Sequence, residues 1–186
     1  RINGDIKDKA DVDELLNTLK NKLYESTHNI DPSRKCKHKV EPVGVKQLVQ
    51  LIKLIDEDTF KWDKSIPDSV AYYPVLVLED SHLVVPGISY IVNEWYKKLV
   101  NELLPGQMCQ PVVVMSIDTL ITNSHIFKCN SFHFVFNHYF KKAVQYSKDG
   151  VEWCFDSIAD FDIFMKETYS LSKRALNKPF DNIKKS

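Results

Sequence analysis

The chain has 186 residues, of which 44% are hydrophobic and 27% charged; this is the composition of a folded globular protein and excludes a largely disordered one. Its 25 basic and 25 acidic residues cancel, so recognition of nucleic acid or membrane has to come from a local patch and not from overall charge. Five glycines leave little room for glycine-rich phosphate loops, and no signal peptide or apolar run of transmembrane length is visible, which predicts a cytoplasmic protein without a membrane partner.

Residues 9–28 are predicted to form an amphipathic helix, because Val12, Leu15, Leu16, Leu19 and Leu23 recur at three- and four-residue spacing. Asp11 and Glu14 have the spacing of a capping pair. Residues 31–43 read as a loop, with Pro32, Pro42 and the basic run Arg34, Lys35, Lys37, His38, Lys39. A second helix is expected over 45–56, carrying Val45, Leu48, Leu51, Ile52 and Ile55. A charged connection containing Pro67 follows, from Glu57 to Ser69.

The pattern then changes to short continuous apolar runs. Residues 73–79 contain Val75-Leu76-Val77-Leu78 and predict a strand buried on both faces. Pro86-Gly87 precedes a helix over about 88–104, with Ile88, Ile91, Val92, Trp95, Leu99 and Val100 on its apolar stripe and Pro105-Gly106 after it. Residues 111–117 predict a second buried strand. Asp118 is placed to cap a short helix running to about 126. An aromatic helix is expected over 131–147 (Phe132, Phe134, Val135, Phe136, Tyr139, Phe140, Val144), then a turn at Asp149-Gly150. A short strand is expected over Val151–Phe155, and a last helix over about 157–176 with Asp156 as its cap.

Strand, helix, strand is a βαβ unit, so the two apolar strands should be parallel and joined by a right-handed crossover. The expected class is α/β: a small, mostly parallel sheet flanked by helices, in a single domain. Two strands make a thin sheet, because a parallel pair needs neighbours on its flanks and layers on its faces. The expectation is therefore either further strands unrecognised within the chain or, as its helix-first start favours, an incomplete sheet continued by sequence before Arg1, with this chain a fragment of a longer one.

The order of helix 9–28, strand YYPVLVLED, helix and strand PVVVMSID resembles the C-terminal half of bacterial restriction-endonuclease-like proteins of the PD-(D/E)XK superfamily. The resemblance covers about two-thirds of the chain in element order. It implies a nuclease-related domain acting on nucleic acid, whose family site uses carboxylates to hold Mg²⁺ and a lysine to orient water. Pro67-Asp68 followed by Glu79-Asp80-Ser81 has the family spacing, but Ser81 stands where the lysine belongs. No catalytic residue carries over, and the resemblance implies that the catalytic half lies upstream of Arg1 or that this member has lost it.

Several constellations carry chemistry of their own. Glu79, Asp80 and Asp118 fall at the C-terminal ends of the two parallel strands, where open α/β sheets bind ligands. Their hard oxygens suit Mg²⁺ and a phosphotransfer reaction, with His82 and Ser116 at the border. The plain alternative is that strands end where polar residues begin. Arg34, Lys35, Lys37 and Lys39 can neutralise phosphates if nucleic acid reaches the 34–39 loop; a solvated loop is the competing reading. His125, Cys129 and His133 share a spacing of four that would align zinc ligands on one helix, but Asn130-Ser131 looks like a helix start that breaks the alignment. The aromatic helix 131–147 covers more than one side, and its surplus apolar face is a candidate surface for a protein partner or self-association. Cys36, Cys109, Cys129 and Cys154 are scattered without a C-x-x-C pair and read as reduced thiols.

Overall fold

A computed structural model of the chain describes residues 9–28, 39–57, 70–79, 83, 85–146, 153–155 and 160–169. Their contacts sort into two compact units, residues 1–74 with 94–110 and residues 75–93 with 111–186.

In the first unit, helix α1 (Lys9–Leu23) leads through Tyr24 into strand β1 (Glu25–His28), which pairs antiparallel with β2 (Lys39–Pro42). The helix therefore ends five residues earlier than its predicted boundary at 28. The apolar stripe itself stops at Leu23, and beyond it Glu25-Ser26-Thr27-His28 gains ladder hydrogen bonds from β2 that a helix end would lack. Part of the predicted loop 31–43 is thus strand. Asp11 lies inside α1, which is already formed at Lys9, so it does not cap it. Gly44 then turns the chain at φ +50°; a Cβ there would sit 2.2 Å from the Leu23 carbonyl oxygen, so only glycine fits. Helix α2 (Val45–Asp56) follows as expected. Leu19, Leu23, Val45, Val49 and Ile52 are buried, whereas Leu51 of the predicted stripe is exposed.

In the second unit, β3 (Val75–Leu78) and β4 (Val113–Ser116) run parallel in the register Val75↔Val113 to Leu78↔Ser116. Helix α3 (Ile88–Leu103) lies between them in sequence; its first turns belong to this unit and the rest to the other. The chain is thus mixed α/β with a small parallel pair among helices. Every residue of β4 is buried, but Val77 of β3 is 42% exposed, which corrects the expectation that β3 is covered on both faces. Among the described residues each of these two strands has the other as its one strand neighbour, and β4 gains its further cover from α4 and α7, which pack against it.

After β4 come α4 (Ile117–Thr122), α5 (Ser124–Cys129) and α6 (Phe132–Ala143). The single short helix expected after Asp118 is therefore two. The aromatic helix ends at Ala143, because Val144–Tyr146 (β5) pairs antiparallel with Trp153–Phe155 (β6). Helix α7 (Phe161–Tyr169) closes the described chain. Phe136, Tyr139, Phe155, Phe161 and Phe164 pack around one another, with Tyr139 and Phe161 edge to face at 5.0 Å. Tyr139 and Phe161 are fully buried, so most of the aromatic content of α6 is core. The Asp149-Gly150 turn, Asp156 and the helix expected over 170–176 lie outside the described residues.

Candidate functional site

A site at the end of β4 needs its surroundings held in place, and two buried polar side chains of the second unit contribute, Asn93 at the start of β4 and Asp160 at the start of α3. Asn93, fully buried on α3, accepts from the Val112 amide through its side-chain oxygen at 2.8 Å. Its side-chain nitrogen donates to the Val112 carbonyl at 3.0 Å. The same nitrogen donates to the Ser89 carbonyl at 2.8 Å. The start of β4 is thereby fastened to the crossover helix. Asp160 is 5% exposed and accepts from the backbone amides of Gly87 (3.0 Å) and Ser89 (3.3 Å), placing a carboxylate on the N-terminus of α3.

The other end of β4 opens into a cleft. Ser116 is the last strand residue, and its hydroxyl accepts from the Thr119 amide at 3.0 Å. Ser116, not Asp118, is therefore the N-cap of α4; Asp118 stands in the first turn with its carboxylate exposed. Asp162 of α7 receives the Ser116 amide on both carboxylate oxygens at 3.2 Å, which joins α7 to the strand end. A cleft of about 310 Å³ forms there, with Asp118, Thr122, His125, Asp162, Lys166 and Tyr169 among its lining residues. That volume lies at the lower end of small-ligand sites. Burial raises the Tyr169 hydroxyl above its ordinary pKa, so it stays a neutral donor at physiological pH; it lies 3.4 Å from His138 Nδ1.

The structure separates some of the residues that the sequence suggested as one site. Asp118 lines the cleft, whereas Glu79, exposed just beyond β3, is not among the lining residues. Asp80 and His82 lie outside the described residues. So do Arg34, Lys35, Cys36, Lys37 and His38; Lys39 opens β2 opposite His28, and the segment 29–38 connects the two paired strands. His125 and Cys129 sit on α5, while His133 sits on α6 beyond the extended Asn130, so the three do not share a helix face. No group of three or more histidines, cysteines, aspartates or glutamates among the described residues is placed to hold a metal ion.

Sequence reading missed Asp162, Lys166 and Tyr169. Their spacing of four and three puts them on one face of α7 and was visible, but nothing local says that this face meets the end of β4.

In the first unit, Tyr96 is fully buried and its hydroxyl has no hydrogen-bond partner of ordinary geometry among the described residues. Burial first, and then the neighbouring Cys109 thiol, raise its pKa well above the usual range. Burial likewise pushes the Cys109 thiol up, with Asp56 adding to the shift and Tyr96 partly opposing it. Cys109 is therefore a protonated thiol at neutral pH.

No protein-family model matches this chain, and neither a curated protein nor a solved structure does.

Proposed function

We propose that this is a cytoplasmic, nuclease-related α/β domain that acts on nucleic acid, with the cleft beyond β4 receiving a phosphodiester group. One observation carries the reading. Two carboxylates, a lysine, an imidazole and a neutral tyrosine hydroxyl converge where a buried parallel strand ends, the usual ligand position in open α/β sheets. Lys166 and the hydroxyls of Thr119, Thr122 and Tyr169 are donors for phosphate oxygens. Asp118 and Asp162 are hard oxygen donors, and Mg²⁺ is commonly held by one or two carboxylates with water and substrate phosphate completing its shell. A set of two therefore fits that ion without a third protein ligand. When bound, Mg²⁺ would neutralise charge on the phosphate. His125 is placed to exchange a proton with a reacting group. The free thiols of Cys129 and Cys154 are exposed, which suits a reducing compartment, and no described helix is long and apolar enough to cross a membrane.

Calorimetric titration with Mg²⁺ and Mn²⁺ tests the reading. Wild type should give a saturable heat that Asp118→Asn loses, and Lys166→Ala should abolish cleavage of a labelled oligonucleotide while metal binding persists. Equal heats in wild type and Asp118→Asn would overturn it.

A further inference from the structure

Two of the α7 side chains that line the cleft are held from outside it, each by a different element. Asp162, in the first turn, takes the Ser116 amide of β4 on both carboxylate oxygens. Tyr169, at the last position of α7, has its hydroxyl 3.4 Å from Nδ1 of His138 on α6. His138 itself is not a lining residue of the cleft. Its ring is fixed by what packs on it. It stands nearly perpendicular to Phe164, with centres 5.3 Å apart and planes at 87°, and to Tyr169 at 6.3 Å and 85°. Phe164 is buried, and Lys142 lies over its ring at 5.4 Å. The imidazole is half-buried, while the next residue, Tyr139, fills the core against Phe161 and Phe164.

The contact between α6 and α7 is already made by those buried rings, so a polar pair at its margin adds little to packing. What it adds is direction. Helix ends fray, and a phenol there has one proton that can turn several ways. A ring nitrogen that carries hydrogen donates to the phenol oxygen and leaves the phenol proton for an acceptor in the cleft. Hydrogen bonds in such a chain polarise one another. We infer that His138 is a positioning residue of the cleft: its Nδ1–H donates to the Tyr169 oxygen, and Tyr169 donates in turn to a phosphate oxygen. A bound anion selects the tautomer that carries hydrogen on Nδ1, because the other tautomer takes the phenol proton for itself. His138 touches no substrate. The role deepens the cleft reading and rests on it.

Calorimetric titration with inorganic phosphate near neutral pH tests this. Tyr169→Phe removes the donor and should weaken phosphate binding roughly 10- to 100-fold, the range for a hydrogen bond to a charged group. His138→Phe keeps an aromatic ring against Phe164 and should weaken it roughly 2- to 10-fold. His138→Asn can bring an amide N–H near the place of Nδ1 and should recover much of that loss. In the Tyr169→Phe background, His138→Phe should weaken binding no further, because its effect passes through the hydroxyl. Nitrogen NMR of the imidazole gives a second readout. Phosphate should move the His138 Nδ1 resonance toward that of a protonated nitrogen in wild type and leave it in place in Tyr169→Phe. An equal loss from His138→Phe with and without the Tyr169 hydroxyl would make His138 a packing residue and overturn the role. Unchanged affinity in His138→Phe, or an Nδ1 without hydrogen in the phosphate complex, would overturn it as well, and the cleft reading would stand. A wild type that binds no phosphate would bring down the cleft reading and this role together.

Discussion

Asn93 and Tyr96 are three residues apart on the same helix, both fully buried and both polar, yet their hydrogen bonding is opposite. Asn93 uses its oxygen and nitrogen on the Val112 backbone and reaches Ser89 as well. Tyr96 contributes a ring to the first unit and leaves its hydroxyl without a partner of ordinary geometry. Burying a polar group is costly unless it is hydrogen-bonded. The polar atoms of Asn93 fix where β4 begins, whereas the hydroxyl of Tyr96 is carried along by the packing of its ring. The helix stripe as read from apolar spacing contained neither residue.

The largest expected effect breaks the satisfied member. Asn93→Leu keeps the volume but orphans the buried amide and carbonyl of Val112. Each unpaired group costs about 1–3 kcal/mol, so the variant should lose roughly 2–5 kcal/mol in urea denaturation followed by circular dichroism. That is a large share of the stability of about 5–15 kcal/mol usual for a domain. A loss below about 1 kcal/mol would mean that the Val112 groups find other partners and that Asn93 does not position β4.

Asp160 is the next step down, because its carboxylate serves the same helix from outside. Asp160→Ala removes charge-assisted acceptance from the Gly87 and Ser89 amides. The expected loss is about 1.5–3 kcal/mol, with Asp160→Asn recovering part of it by keeping an acceptor oxygen. Equal stability of the aspartate, asparagine and alanine forms would show that water serves those amides as well.

These residues also show where sequence reading stops. Val75–Leu78 and Val113–Ser116 were legible because β-branched apolar runs bounded by polar residues have few other uses, and Pro-Gly pairs fixed both ends of α3. The β1–β2 hairpin was not legible, since Glu25-Ser26-Thr27-His28 has no apolar alternation and its partner lies beyond ten intervening residues. Asp118 was found as a strand-end acid, but its cap role belongs to Ser116, two positions earlier. Asp162 and Lys166 come to the cleft from a helix more than forty residues downstream, by packing that no local pattern encodes. Exposed Val77 shows the same limit: its run matches that of β4, and the packing of α4 and α7 against β4 tells them apart.

The smallest effect at neutral pH, and the sharpest check of the comparison, comes from Tyr96→Phe. It deletes an oxygen that gains no ordinary hydrogen bond, so near pH 7 stability should stay within about 1 kcal/mol of wild type or rise. The two proteins should part in alkali. Burial holds the Tyr96 phenol protonated in the native state, well above the value of 10.0 that it takes when exposed. The stabilisation tied to that proton is complete below pH 10. Above it the unfolded chain releases a proton that the native chain keeps, so stability falls as pH rises, by about 1.4 kcal/mol per pH unit for one such group. Tyr72 and Tyr169 are shifted in the same direction and remain in the variant, so both proteins weaken in alkali, but Tyr96→Phe should do so less steeply. Urea midpoints at pH 8 and pH 11 measure the difference. A variant that falls as fast as wild type would mean that the Tyr96 hydroxyl releases its proton alike in the folded and unfolded chains, as a hydrated phenol does, and the contrast with Asn93 would be lost.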